Sequence, residues 1–139
     1  MVAAANLSKI VDFRIPAGRV GFGPFVNSEE FHSFLREGLS GDKISGDLKR
    51  LVSMHQAREY PTYFTHGDLS PLNILVRGEH IVGIIDWEMA GWLPDYWEYT
   101  SAINVHHFWA FWRDEVGQFL RPYEEVEMEA LRRQYFGDT

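Results

Sequence analysis

The chain has 139 residues, of which 45% are hydrophobic and 24% charged, a composition typical of a soluble globular protein. Its length favours a single domain over residues 1–139. The formal net charge is −7 and no run forms a basic stripe, which argues against a nucleic-acid partner. The chain has no Cys, no apolar stretch approaching the roughly 18 residues of a membrane span, and no signal-peptide pattern. We therefore expect a cytoplasmic protein without disulfides, thiolate metal sites or a membrane partner.

The first part of the chain is predicted to contain two helices after an irregular start. Residues 1–24 are interrupted by Pro and Gly, and we interpret the glycines as connecting coil. A helix is predicted to begin after Asn27, with Glu30 completing a capping box, and to run to about Leu39. Apolar spacing predicts a second helix over residues 47–59, stopped by the following proline.

The middle of the chain is predicted to form a short β-hairpin between two polar loops. Residues 63–65 lead into a polar loop at 66–72. Residues 74–76 and 81–85 are rich in β-branched side chains and are separated by a turn at 77–80. An Asp lies in the loop on each side of this hairpin.

The remainder of the chain is predicted to form two or three helices rich in aromatic residues. Pro94 suits the first turn of the first helix, and Pro122 separates the later two. Adjacent helical residues point about 100° apart, so His106 and His107 are interpreted as packed or surface residues rather than ligands of one metal. A solvated acidic helix face is predicted from Glu124, Glu125, Glu127 and Glu129.

The segment with the most chemical content reads H-G-D-L-S-P-L-N over residues 66–73 and I-D-W-E over residues 85–88. A kinase catalytic loop is written H-R-D-L-x-x-x-N, and its metal-binding D-F-G follows a hairpin. Asp68 and Asn73 have the same five-residue offset, and Asp86 follows thirteen residues later. Positioning and charge neutralisation do most of the work in phosphoryl transfer, so a carboxylate base and a few oxygen ligands for Mg²⁺ are sufficient.

These motifs resemble those of the aminoglycoside phosphotransferase/choline kinase family, in which Gly replaces the loop Arg, as at Gly67 here, and I-D-W/F-E replaces D-F-G. The likeness is closest over residues 63–99, extends more weakly to 23–60, and is similar to the branch common in fungal genomes. It implies an α+β fold of the protein-kinase-like C-terminal lobe type. Such a lobe is mostly helical, with a small β-hairpin carrying the catalytic and metal loops.

The resemblance also implies roles for individual residues. Asp68 would be the catalytic base that accepts the proton of a substrate hydroxyl, and His66 would brace the catalytic loop. Asn73 and Asp86 would bind Mg²⁺ and, through it, ATP. Candidates on the side of the small-molecule substrate are Trp87, Glu88, Trp92 and Tyr96.

The sequence lacks the features that hold ATP in the N-terminal lobe of such kinases. None of the three lysines, Lys9, Lys43 and Lys49, lies in a V-A-x-K-like strand, and no G-x-G-x-x-G follows a strand. We therefore expect a truncated kinase-like fold without the ATP lobe. Three explanations stay open: a fragment of a longer kinase, a chain that acts with another chain supplying the lobe, or a natural short protein that has abandoned ATP.

Two other functions remain as alternatives to an ATP- and Mg²⁺-dependent phosphotransferase. Carboxylates beside apolar walls tend to have raised pKa values, which suits a nucleotide-independent enzyme for dehydration, cyclisation or isomerisation of a small metabolite, or a small-ligand binder. A non-enzymatic interaction module would instead dock a partner through its aromatic face. Loss of the second lobe would expose that face, so a homodimer through exposed aromatic surface is also expected.

Overall fold

The computed structural model describes residues 1–16, 18–41, 44, 46–104 and 110–137, and the interpretations of Lys43, His106 and His107 fall outside these ranges. Helices and small sheets are mixed along the chain, which agrees with the expected α+β class. In chain order the elements are β1 (Ala3–Ala4), α1 (Ser28–Leu35), α2 (Asp47–His55), β2 (Thr62–Thr65), β3 (Ile74–Arg77), β4 (His80–Ile84), β5 (Gly91–Pro94), α3 (Trp97–Ile103), α4 (Ala110–Val116) and α5 (Val126–Phe136). None of the described helices is long and apolar enough to cross a membrane.

The strands form two antiparallel sheets. β3 and β4 pair as the predicted hairpin, with Ile74 opposite Ile84. The second sheet has the order β1-β5-β2, and its central strand β5 was not predicted. The prediction that Pro94 begins a helix is wrong, because Pro94 pairs with Thr62 in β5 and the helix starts only at Trp97.

Both predicted N-terminal helices are confirmed, and each is shorter than predicted. The Asn27 side chain caps α1 by accepting the Glu30 N–H at 2.9 Å. The helix ends early because Gly38, in the left-handed region at φ +75°, donates its N–H to the Ser33 carbonyl at 2.8 Å.

The second helix, α2, ends at His55 rather than at residue 59. The Tyr60 hydroxyl donates to the Met54 carbonyl at 2.7 Å, so a side chain occupies the acceptor that a further helical turn would use. Arg58 meanwhile turns its guanidinium toward Asp95, 2.9 Å away. With these two side-chain contacts in place, the last predicted turn of the helix does not form.

The N-terminal segment is part of the main core and is not merely connecting coil. Val2 bridges to Phe25, and Ile10 bridges to Phe22. Val2, Ile10 and Phe22 are all buried in the same cluster as Phe31 of α1. Apart from β1 the backbone of this segment is irregular, as predicted, but its apolar side chains help to hold the helices together.

The predicted solvated face of α5 is wrong for two of its four acidic residues. Glu129 is buried and paired with Arg132, whose Nη2 lies 2.8 Å away. Glu125 is also buried and accepts from Arg58 Nε at 2.9 Å. Each of these buried carboxylates has a guanidinium partner, which offsets part of the cost of burial.

Candidate functional site

His66 joins the catalytic loop to the end of the hairpin. Its Nδ1 accepts the backbone N–H of Asp68 at 3.1 Å, and its Nε2 lies 2.8 Å from the carbonyl oxygen of Ile85. A backbone N–H can only donate, so Nδ1 carries no proton and Nε2–H donates to Ile85. Both ring nitrogens are thus engaged, which fits the bracing role expected for His66.

Asn73 ties the same two loops together a second time. Its Nδ2 donates to the Asp68 carbonyl at 2.8 Å and to the Asp68 carboxylate at 3.3 Å. Its backbone carbonyl accepts the Ile85 N–H at 2.9 Å. Both side-chain bonds use the nitrogen, so no contact within the described ranges occupies the side-chain oxygen, the atom that suits a cation.

Burial and neighbouring charges raise the pKa of Asp68. Burial raises the pKa of Asp68, the positive charge of Arg14 opposes that rise, and the negative charge of Asp86 adds to it. Asp86 itself is exposed and has a φ of +63°. Left-handed backbone costs a non-glycine residue roughly 1–2 kcal/mol, and such strain is typical of functional sites. Asp68 and Asn73 are thus in direct contact, and Asp86 directly follows Ile85, which is hydrogen-bonded to Asn73.

Glu98 supports the catalytic loop from α3. One carboxylate oxygen accepts the His66 N–H at 2.6 Å, and the other accepts the Gly67 N–H at 3.0 Å. Sequence reasoning did not assign this residue a role. A signal was present, since Glu98 lies in the stretch over residues 96–99 that resembles the kinase family.

Arg14 reaches the catalytic loop from the N-terminal segment. Its guanidinium donates to the Gly67 carbonyl and is held by Asp12 at 2.7 Å. Gly67 has a φ of +88°, and a Cβ there would lie 2.7 Å from the Met89 carbonyl oxygen, so only glycine fits. No pattern in the irregular segment pointed to Arg14.

The expected substrate-side residues divide into exposed and buried ones. Glu88 is exposed, and half-exposed Trp87 and Trp92 both face Phe64, with ring centroids 6.2 and 5.5 Å from it. Tyr96 departs from the expectation because it is fully buried and its hydroxyl contacts His32 at 2.8 Å. It cannot form a wall of a substrate cleft in this conformation.

Three cavities of about 490, 230 and 780 Å³ lie elsewhere on the molecule, around Arg58. None of their lining residues belongs to 66–73 or 85–88. The loop over residues 66–73 is nevertheless the candidate site, because hydrogen bonds of His66, Asn73 and Glu98 fix its conformation.

The oxygen donors at the loop fit a Mg²⁺ ion better than a transition metal. Within the described ranges there is no group of three or more His, Cys, Asp or Glu side chains that would enclose a metal. Mg²⁺ keeps several water ligands and is commonly held by one or two protein oxygens plus phosphates. The Asp86 carboxylate and the Asn73 amide oxygen are such a donor set.

The comparisons with known proteins agree with the motif. A family model described as "Phosphotransferase enzyme family" (APH) matches residues 33–133, more than half of the chain. Comparisons with curated proteins and with solved structures give no match.

Proposed function

Because the chain belongs to the phosphotransferase enzyme family (APH), we propose that it is the catalytic part of an ATP- and Mg²⁺-dependent kinase for a small-molecule hydroxyl. The observation that carries this proposal is the joining of two loops at Ile85. Its carbonyl accepts from His66 and its N–H donates to Asn73, so Asp86 follows directly on the loop that holds Asp68.

The chemistry assigns one task to each residue. Asp68 would accept the proton of the substrate hydroxyl. The hydroxyl oxygen would form a bond to the γ-phosphorus while the bond between that phosphorus and the ADP oxygen breaks. Asn73 and Asp86 would hold Mg²⁺, which neutralises charge on the phosphates when bound. A raised pKa lets the Asp68 carboxylate retain the transferred proton more strongly. His66 and Glu98 would fix the loop and take no proton.

We further propose that the chain corresponds to the C-terminal lobe of the kinase-like fold, in the fungal-type branch of the family. The order of catalytic loop, hairpin and metal loop supports this. Ile81 and Val82, neighbours on β4 that point to opposite faces, are 66% and 57% exposed. Ile74 packs against the cluster around Trp112, but β4 keeps these apolar side chains exposed, and we propose this surface for a separate segment that would add contacts to ATP.

Calorimetric titration with ATP and with a non-hydrolysable analogue, each with and without Mg²⁺, tests the proposal. We expect micromolar binding that requires Mg²⁺ and is lost in Asp86→Asn. Asp68→Asn should keep that binding but lower phosphoryl transfer by about 10²–10⁴-fold, the usual contribution of a general base. Asp114→Asn, an exposed carboxylate on α4, is the matched control. The absence of binding in every titration would contradict the proposal.

The raised pKa of Asp68 specifically favours a second candidate, a nucleotide-independent acid–base enzyme acting on a small metabolite. Such an enzyme would consume a compound from a metabolite extract in the presence of EDTA and without nucleotide. Mass spectrometry of extracts incubated with the wild-type chain or with Asp68→Asn would test it. Equal consumption by the two proteins would rule this mechanism out.

A further inference from the structure

Charged side chains from two other parts of the chain hold the backbone of Gly67 at both of its polar groups. Its N–H donates to Glu98 of α3 at 3.0 Å, and its carbonyl accepts from the guanidinium of Arg14. Glu98 follows Gly67 by 31 positions, and Arg14 precedes it by 53. The catalytic loop is therefore fixed at this point by contacts from outside it.

The carbonyl that Arg14 binds belongs to the peptide group between Gly67 and Asp68. The N–H of the same peptide group donates to Nδ1 of His66 at 3.1 Å. A peptide group is planar, so a contact at its oxygen and a contact at its nitrogen together fix its plane. The next backbone atom carries the Asp68 side chain, so turning this peptide group would move the proposed base.

The guanidinium of Arg14 is itself held by Asp12, which is buried. The Asp12 carboxylate accepts from Nε at 2.9 Å and from Nη2 at 2.7 Å, and it also accepts the backbone N–H of Arg14 at 2.9 Å. Asp12 lies in a turn in which its own N–H donates to the Gly18 carbonyl at 3.3 Å. A Cβ on Gly18 would lie 1.7 Å from the Asp12 carbonyl oxygen, so only glycine fits there. The two-point pairing with a buried carboxylate restricts the orientation of the guanidinium.

The same guanidinium lies where the catalytic loop meets the stretch that follows the metal loop. Its Nη2 is 3.7 Å from the sulfur of Met89, which comes shortly after Asp86 in the chain. Gly67 approaches Met89 so closely that an added Cβ would lie 2.7 Å from the Met89 carbonyl oxygen. Arg14 therefore contacts both the catalytic loop and the segment after the metal loop.

The alternative role for Arg14 is that of an anchor for the N-terminal segment. That segment is attached to the core by other contacts, since Val2 exchanges backbone hydrogen bonds with Phe25, and Ile10 exchanges them with Phe22. The side chains of Val2, Ile10 and Phe22 are also buried. A further anchor would not need to place a guanidinium, which loses hydration on burial, against the catalytic loop.

We propose that Arg14 is a positioning residue of the kinase, which fixes the Gly67–Asp68 peptide group and so directs the Asp68 carboxylate to the substrate hydroxyl. Arg14 touches no reacting group and acts through Asp68. In the H-R-D form of the loop an Arg directly precedes the Asp. A side chain at position 67 would collide with Met89 here, so the guanidinium comes from the N-terminal segment instead. The catalytic part of this inference rests on the proposed function.

The first measurement does not require activity. Relaxation of the ¹⁵N-labelled full chain gives the order parameter of the Asp68 amide, which should be about 0.85 in the wild type and below about 0.6 in Arg14→Met. Arg58→Met is the matched control, because Arg58 also pairs with an Asp and also donates to a backbone carbonyl, that of Glu59. An order parameter that is unchanged in Arg14→Met, or lowered equally in both variants, would overturn the proposal.

A second variant covers the possibility that Arg14→Met does not fold. The single substitution leaves the Asp12 carboxylate buried without its partner, which is costly. Asp12→Asn/Arg14→Met removes both charges and leaves neither unpaired. It then takes the place of Arg14→Met in every measurement, with the same expected results.

The second measurement is the release of inorganic phosphate from Mg²⁺·ATP, with water as the acceptor. The water oxygen bonds to the γ-phosphorus, a water proton passes to Asp68, and the bond between that phosphorus and the ADP oxygen breaks. Arg14→Met should slow the release by about 10²-fold, the cost of misplacing a catalytic group by about 1 Å. It should leave the affinity for Mg²⁺·ATP unchanged. Arg58→Met should release phosphate at the wild-type rate.

The effect of Arg14 should disappear when the base is absent. In Asp68→Asn, adding Arg14→Met should lower the remaining rate by less than about twofold, because the two residues act as one unit. A full second loss in the double variant would overturn the positioning role. A wild type that releases no phosphate would contradict the proposed function, and the order parameter of Asp68 would then decide whether Arg14 fixes the loop.

Discussion

The helical part of the molecule buries charges, whereas the hairpin exposes apolar side chains. Glu129 and Arg132 of α5 form an ion pair in which both side chains are only 3% exposed. On the hairpin, Val76 and Ile81 are about two-thirds exposed and lie opposite each other in the register. Each region thus departs from the usual distribution of residue types, and the two depart in opposite directions.

The difference lies in where the side chains of each part find their partners. The buried carboxylates of the helical part find partners within the chain: Glu125 pairs with Arg58 and Glu129 with Arg132. On the hairpin Ile74 packs against the cluster around Trp112, whereas the other apolar side chains are 39–66% exposed. The hairpin also connects Asn73 to Asp86, and contact with another polypeptide segment at this point would act directly on the candidate site.

The largest effect is expected from breaking the buried ion pair. Arg132→Met would leave the Glu129 carboxylate buried without its main partner, and we expect a loss of about 3–5 kcal/mol in the free energy of unfolding. Urea denaturation monitored by Trp fluorescence would measure it. Arg133 Nη1 lies 3.9 Å from the same carboxylate, so the measured loss also shows how far Arg133 replaces Arg132 as its partner.

Two controls separate burial from charge. Arg50 and Glu127 form an ion pair that is about half exposed, and Arg50→Ala should cost less than about 1 kcal/mol. Glu129→Gln/Arg132→Met removes both buried charges and should regain most of the stability lost in the single variant. An equal loss at the buried and the exposed pair would contradict the comparison.

Acid should destabilise the helical part through its two buried imidazoles. Burial, followed by neighbouring positive charges, lowers the pKa of His32 to about 3 and that of His55 to about 2, against an ordinary value of 6.5. The unfolded chain therefore binds more protons, and stability falls as the pH drops below 6.5. The loss at pH 5 is about 2 kcal/mol per histidine.

The measurement is urea unfolding between pH 7 and pH 5. His55→Gln keeps an acceptor for Arg36 and should show a pH-dependent loss smaller by about 2 kcal/mol, one histidine's share. His80→Gln removes an exposed histidine of the hairpin and should behave like the wild type. A pH dependence that is unchanged in His55→Gln would show that carboxylates, and not the buried histidines, control acid stability.

The sequence was most informative where structure and chemistry are local. The hairpin over residues 74–84 and the loop that contains Asp68 and Asn73 were predicted, because β-branched runs and a fixed motif spacing act over a few residues. The Asn27 cap was predicted for the same reason. Helix ends were less accurate, since Tyr60 folds back onto the Met54 carbonyl only in the tertiary structure.

Long-range partners could not be predicted from one sequence. Arg14 contacts the catalytic loop across 53 positions and lies in a segment with no periodicity. Glu125 appeared to be a surface residue because its partner Arg58 is 67 positions away. Tyr96 lies in a stretch rich in aromatics, and no local signal separates a buried aromatic residue from one that lines a substrate site.

A smaller effect is expected at Gly67, in the loop that precedes the hairpin and is held by Glu98 of α3. Gly67→Ala should cost about 2–3 kcal/mol, because a left-handed alanine is strained and its Cβ would meet the Met89 carbonyl oxygen at 2.7 Å. Gly78→Ala at the hairpin turn is the matched control. Its φ is also positive, at +61°, but no atom lies within 4 Å of the added Cβ. The free energy of unfolding should therefore fall by only about 1–2 kcal/mol. Equal losses in the two variants would contradict this prediction, because the Met89 carbonyl would then move away from the added Cβ at no cost.

The smallest effect on stability is expected on the hairpin itself. Val82 is more than half exposed, so Val82→Lys should change the free energy of unfolding by no more than about 0.5 kcal/mol. The expected homodimer was assigned to exposed aromatic surface, and we propose the apolar hairpin as a further part of that interface, so a charge at Val82 should weaken association. Sedimentation velocity should show concentration-dependent dimers for the wild type and monomers for Val82→Lys. Val20→Lys, which changes another exposed valine, is the control and should still dimerise. A wild type that is monomeric at all concentrations would contradict the homodimer.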